Sequence, residues 1–167
     1  MRFKIPYTQS ALILFFHACL STAAHAADQS DNGVKITGQA SLVSNYIWRG
    51  LSQTWGRAAA QIALTAEHGS GAYLGWFASN VAPQFIPNGS LETDWSLGYK
   101  TSIRGVDLDA GGNYTYYPGS NYSKASFSPA FADSNPRTLE LYVSAAIAGA
   151  GLRVGYIPTA FYGWNVN

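Results

Sequence analysis

From residue 34 onward the chain alternates apolar and polar side chains with a period of two, in segment after segment. Successive side chains of an extended strand point to opposite faces, so this rhythm specifies a two-faced β-sheet rather than amphipathic helices. Leu91, Thr93, Trp95, Leu97 and Tyr99 oppose Glu92, Asp94, Ser96, Gly98 and Lys100. Val106, Leu108, Ala110, Gly112, Tyr114 and Tyr116 oppose Asp107, Asp109, Gly111, Asn113, Thr115 and Tyr117. Leu139, Leu141, Val143, Ala145 and Ile147 face away from Glu140, Tyr142 and Ser144. Strands are predicted over 34–49, 58–68, 72–81, 91–100, 106–117, 138–147 and 152–157.

The connections between these segments are sorted by length. Stretches 50–57, 82–90 and 118–136 are long, 69–71, 101–105 and 148–151 are short, and the two kinds alternate without exception. Antiparallel strands joined this way carry every long loop at one end and every short turn at the other. Outer-membrane barrels have that asymmetry, whereas a soluble sandwich has no reason to sort its loops. Strand lengths also cluster near the roughly 9–11 tilted residues that cross a bilayer. The fold expected is all-β: an antiparallel up-and-down transmembrane β-barrel, with about seven strands present and the barrel incomplete, because bacterial single-chain barrels have even strand counts.

Composition agrees with this reading. Only 11% of the 167 residues are charged, against about 25% in an ordinary soluble domain. The 17 Gly, 11 Tyr, 8 Phe and 5 Trp favour strands and argue against disorder. A formal charge of +1, with no cluster of Lys or Arg, offers no field to hold nucleic acid. Residues 1–26 read as a secretory signal peptide: Arg2 and Lys4 precede a short apolar core reaching Leu20, and Ala24-His25-Ala26 provides a small-x-small cleavage pattern. Losing Arg2 and Lys4 turns the charge from +1 to −1. The one cysteine, Cys19, lies in this segment, so residues 27–167 fold without disulfides. That remainder is expected to be the N-terminal part of a barrel in the bacterial outer membrane.

In a barrel the apolar stripe meets lipid and the polar stripe lines the lumen. Parity along the strands assigns Lys35, Arg49, Glu92, Asp94, Lys100, Asp107, Asp109, Asn113, Glu140 and Arg153 to the lumen. Both signs of charge occur there, so no single-sign selectivity follows. The four carboxylates Glu92, Asp94, Asp107 and Asp109 read either as a solvated wall or as a local cation-attracting field. Across the 101–105 turn, Lys100 is expected to pair with Asp107. Tyr46, Trp48, Trp55, Tyr99, Tyr114 and Tyr116 gather near strand ends, where amphipathic rings sit at headgroup level. The 118–136 loop is expected to narrow the mouth, and its Tyr122 and Phe127 read either as a stacking surface for a sugar or as loop packing.

Other chemistry is weaker. The glycine-rich stretches 69–75 and 149–155 resemble dinucleotide loops, but such a loop needs a following helix, and here a strand follows. Hairpin turns explain those glycines better. His68 is the one histidine after residue 26, which leaves no His cluster for a metal. Ser70 beside it lacks an orienting acid in the sequence pattern. No cofactor, metal or enzymatic activity is expected.

Several segments resemble a known family. Ser44-Asn45-Tyr46-Ile47-Trp48-Arg49-Gly50-Leu51-Ser52-Gln53 is similar to the opening signature of the TorF-type family of porin-like bacterial outer-membrane proteins of unknown function. Gly75-Trp76-Phe77-Ala78-Ser79-Asn80-Val81 resembles its second marker. Leu97-Gly98-Tyr99-Lys100, Tyr114-Thr115-Tyr116-Tyr117-Pro118-Gly119 and Leu139-Glu140-Leu141-Tyr142-Val143 resemble the next three. The ordered set covers roughly residues 40–163. It implies an outer-membrane barrel with pore activity and brings no catalytic or binding residues. Members of that family carry further strands beyond the Phe161-Tyr162-Gly163 region, which implies that this chain is truncated at its C-terminus.

The function expected is passive diffusion of small hydrophilic solutes through a polar lumen, with outer-membrane lipid as the surrounding partner and no role for nucleic acid. Two alternatives stand beside it: a non-conducting structural or binding barrel, and a soluble secreted carbohydrate-binding β-sandwich. The sequence does not set the oligomeric state.

Overall fold

A computed structural model describes residues 26–29, 33–124 and 135–162 of the chain. The expected signal peptide, apart from Ala26, and Phe127 lie outside the described residues. In chain order the strands are β1 (Ala26–Gln29), β2 (Val34–Val43), β3 (Ile47–Trp48), β4 (Leu51–Ser52), β5 (Ala59–His68), β6 (Ala72–Asn80), β7 (Leu91–Ile103), β8 (Val106–Tyr116), β9 (Arg137–Ile147) and β10 (Ala150–Tyr156). Beyond them the described residues hold one 3-10 turn, at Tyr122–Lys124, and no described helix is long and apolar enough to cross a membrane.

Eight strands form one antiparallel sheet in the order β1-β2-β5-β6-β7-β8-β9-β10, while β3 and β4 make a separate small hairpin. Each sheet strand therefore pairs with its neighbours in sequence, as an up-and-down meander requires. Among the described residues the sheet is open, with β1 and β10 as its edges. The seven expected strands are all present, joined by the four-residue β1.

The short turns lie at one end and the long connections at the other, as their lengths predict. Arg104-Gly105 and Ala148-Gly149 are two-residue turns with positive φ at both positions, 53° and 80° in the first, 48° and 83° in the second. That mirror-image turn matches the right-handed twist of the strands it joins. The first of these corrects the expected register. Because β7 runs on to Ile103, Lys100 stands opposite Asp109, and Asp107 stands opposite Ser102. A two-residue turn in place of a five-residue one moves the pairing by two positions, which keeps the face and changes the partner.

A second correction concerns the first predicted strand. It ends at Val43, and residues 44–58 leave the sheet, with β3 and β4 folded on each other across Arg49-Gly50. The parity that placed Tyr46, Trp48 and Arg49 on particular stripes does not apply there.

The two faces of the sheet differ in the opposite sense to a soluble protein. Leu42, Leu64, Leu74, Trp95, Leu97, Tyr99, Leu141, Val143, Leu152 and Val154 share one face by register, and all are exposed. Ser79, Glu92, Thr115, Thr138, Tyr73 and Tyr142 share the other face, and all are buried. The one compact hydrophobic cluster among the described residues, Val81, Ile86 and Tyr117 with Phe85 and Tyr162 against it, sits at the long-loop end.

Candidate functional site

The site is the polar face, and the segment that shapes it is the 44–58 connection. Asn45 organises this segment locally: its Oδ1 accepts hydrogen bonds from Ser52 Oγ at 2.6 Å and Thr54 Oγ1 at 3.1 Å. Thr54 Oγ1 in turn accepts the Tyr46 amide at 3.1 Å, and the Gln53 amide donates to the Tyr46 carbonyl at 2.7 Å. Gln53 and Thr54 are each only 1% exposed.

Long-range contacts fix where the closed loop lies. The Tyr46 hydroxyl donates to Glu92 Oε1 on β7 at 2.6 Å, and its ring meets Phe77 on β6 edge-on. The Ala82 amide donates to the Gln53 carbonyl at 2.9 Å. Trp48 packs edge-on against Tyr162. Arg49 Nη2 donates to Glu140 Oε2 on β9 at 2.7 Å. Strand β9 lies four positions beyond β5, about 19 Å along a flat sheet at roughly 4.8 Å per strand. The hairpin that begins at the edge of β2 therefore lies across the polar face and reaches its far side.

Glu92, 3% exposed, is the hub of this arrangement, accepting from Tyr46 on one oxygen and from Tyr117 on the other, the latter at 2.5 Å. Burial first, and then the Glu92 charge, push the Tyr46 and Tyr117 hydroxyls above the ordinary phenol value. Burial and the same carboxylate do so for Tyr162. Tyr46 and Tyr117 therefore stay protonated as donors to Glu92. Asp94, next on the same face, has a buried Oδ1 without a hydrogen-bond partner.

Toward the short turns, one register row runs Lys35, Glu67, Tyr73, Gly98, Gly111, Tyr142 and Gly155 across seven strands. Tyr73 and Tyr142 reach toward each other over Gly98 and Gly111 and meet through their hydroxyls. A Cβ on Gly98 would overlap the Tyr73 ring end, and one on Gly111 would stand 2.9 Å from the Tyr142 hydroxyl. Glycine is needed here because the tyrosines and the carbonyl oxygens of the neighbouring strands, Ala110 at Gly98 and Leu97 at Gly111, occupy the space a side chain would fill. Tyr73 also donates to Asp109 at 2.9 Å.

The predicted lumen residues are placed as follows. Lys35, Glu92, Asp94, Lys100, Asp107, Asp109, Asn113, Glu140 and Arg153 share the polar face by register. Arg49 reaches that face from the hairpin rather than from a strand. Lys100 pairs with Glu67 at 3.0 Å, with its ammonium over the Tyr73 ring at 4.6 Å, and not with Asp107. Arg153 lies over the Tyr142 ring at 3.5 Å. Of the expected interfacial aromatics, Trp55, Tyr99, Tyr114 and Tyr116 are exposed, whereas Tyr46 and Trp48 turn inward onto Glu92 and Tyr162. His68 and Ser70 serve their turn: Nδ1 lies 2.8 Å from Ser70 Oγ and accepts the Ser70 amide at 3.1 Å.

Sequence reasoning missed the hairpin and the tyrosine bridge. Val43 and Ile47 falling on the polar stripe signalled that the strand had ended, and Tyr142 sharing a stripe with Gly98 and Gly111 signalled the bridge.

Among the described residues no group of three His, Cys, Asp or Glu side chains is placed to hold a metal ion. No curated protein and no solved structure matches the chain. Residues 27–167 match the profile of a family described as "Bacterial protein of unknown function (Gcw_chp)", and the chain belongs to that family.

Proposed function

We propose that the chain forms part of the wall of a bacterial outer-membrane β-barrel of the porin type, past whose polar face small hydrophilic solutes diffuse. The inversion of the two faces carries this reading. Leu42, Leu97, Leu152 and Val154 stand in the open while Glu92, Thr115 and Thr138 are buried. In water each such apolar side chain forgoes about 1.5–3 kcal/mol of burial, and a whole domain is stable by only about 5–15 kcal/mol. Hydrocarbon removes that penalty and requires every backbone group to find its partner in a neighbouring strand, which a meander closed into a barrel provides.

The sorted connections, the strand lengths near bilayer thickness and the TorF-type resemblance support the same reading. Residues 1–26 would direct export, and lipid would be the partner of the apolar face. A soluble carbohydrate-binding sandwich would instead bury its apolar face under a second sheet. No residue is assigned a catalytic role.

The hairpin and the tyrosine bridge favour a second reading. They occupy the polar side, and small barrels filled by their own side chains conduct nothing. Planar-bilayer recording on protein extracted from outer membranes, and shown to migrate differently before and after boiling, tests both. Stepwise conductance supports the pore, and a folded, inserted and silent protein supports the filled barrel. Recovery without detergent from the periplasm contradicts both.

A further inference from the structure

Beside the Arg49–Glu140 pair the polar face opens into a cavity of about 250 Å³, lined by Arg49, Glu140, Arg153, Gly155 and Ile157. Two guanidinium groups and one carboxylate give it a formal charge of +1 at neutral pH. Arg49 commits one N–H to Glu140, and its side chain is otherwise half exposed. The Arg153 guanidinium carbon lies 3.5 Å over the centre of the Tyr142 ring, within stacking distance, and the side chain has no hydrogen bond or ion pair among the described residues. Stacking fixes the plane of a guanidinium and leaves its N–H edge directed outward, a preorganised fork for a planar oxyanion. In its register row Arg153 faces Ser144, and the acid beyond that serine, Asp109, already accepts the Tyr73 hydroxyl.

Gly155 keeps the cavity open. A Cβ there would come within 2.5 Å of Glu140 Oε1, so any larger residue would push that carboxylate into the space beside Arg153. The volume corresponds to about eight water molecules at roughly 30 Å³ each. It therefore fits a small organic molecule rather than a polymer. A net charge of +1 suits a monoanion better than a dianion, and Glu140 is at hand to accept from hydroxyl groups of the same molecule.

We propose that this cavity is a binding site for small hydroxylated monocarboxylates, with Arg153 taking the carboxylate and Glu140 a hydroxyl. The proposal rests on the reading of the polar face as a solute path and names the solute class that the path retains. Binding requires no conduction, so a calorimetric test separates this proposal from the pore itself.

The experiment titrates sodium gluconate, glucose and potassium phosphate into the full-length protein in detergent, after its heat-dependent gel migration has shown it folded. The expected result is saturable heat with gluconate, none with glucose, and weaker binding of phosphate. Arg153→Gln should weaken gluconate at least tenfold, and Gly155→Ala should weaken it by narrowing the cavity. If Arg153→Gln does not fold, Gly155→Ala decides alone. Absence of saturable gluconate heat, an equal response to glucose, tighter binding of phosphate, or affinity unchanged by the substitutions would each overturn the proposal. A silent planar bilayer beside saturable gluconate heat would leave the binding site standing and remove the pore.

Discussion

Tyr46 and Glu92 are 46 residues apart in the chain and joined by a 2.6 Å hydrogen bond, hydroxyl to carboxylate. That bond, with the Tyr117 hydroxyl on the other carboxylate oxygen, locks the inward-folded 44–58 segment to the middle of the sheet. A connection that would otherwise be a free surface loop becomes part of the polar face.

Glu92→Gln should therefore loosen the hairpin. Hydrogen bonds to a charged group are worth about 1.5–3 kcal/mol each, and an amide retains one acceptor for the two phenols. A loss of about 2 kcal/mol is expected in denaturant unfolding, with faster amide exchange at Gln53, which donates to the Tyr46 carbonyl within the hairpin, and at Ala82, which donates to the Gln53 carbonyl and ties the hairpin to the next loop. Unchanged exchange at both amides would show that the carboxylate does not hold the segment.

The glycine row makes a coupled prediction. Gly98→Ala should destabilise by about 1–3 kcal/mol through overpacking against Tyr73, and Tyr73→Leu should relieve part of that cost. A double-mutant cycle measures the relief, because contacting sites are non-additive. Part of the cost should remain, since the added methyl would also stand 2.8 Å from the Ala110 carbonyl oxygen.

Lys100 should couple weakly to Glu67 and not at all to Asp107. Both side chains of the observed pair are about half exposed, which limits the coupling to roughly 0.2–1 kcal/mol. Cycles on the two pairs in parallel distinguish the observed register from one displaced by two residues.

Alkaline titration reads the tyrosine hub. In the unfolded chain phenols ionise near pH 10, while in the folded chain Tyr46, Tyr117 and Tyr162 hold their protons to higher pH. A raised folded-state pKa stabilises below the unfolded value, so the contribution of these three phenols to stability should be full up to about pH 10 and be lost as pH rises beyond it. Phenolate absorbance should show these three tyrosines ionising only with unfolding. A single step near pH 10 for every tyrosine of the still-folded protein would contradict the hub.

Strands, connection lengths and faces were legible in the sequence because each is a local property. Alternation at 91–100 marks two faces, and Gly at 105 and 149 marks tight turns. The hairpin was not legible in the same way, because Tyr46, Ile47 and Trp48 are good strand formers and continue the rhythm of β2. What removes them from the sheet is the Asn45 network and the contacts to Glu92 and Glu140, partners up to 91 residues away. The Lys100 partner was misread for another reason. A turn two residues long instead of five keeps the same face toward the lumen, so parity alone does not distinguish Asp107 from Asp109.

In the membrane reading the apolar face meets lipid and the polar face meets water. Since the one cysteine lies at position 19, single cysteines at 96 and 97 report on adjacent residues of β7 that point to opposite faces. Labelling of Ser96→Cys and Leu97→Cys with a water-soluble maleimide, in intact outer-membrane vesicles, tests the claim directly. Rapid labelling is expected at 96 and protection at 97, even though Leu97 is 66% exposed in the isolated chain. Rapid labelling at 97 with protection at 96 would place the apolar face in water and contradict the membrane reading.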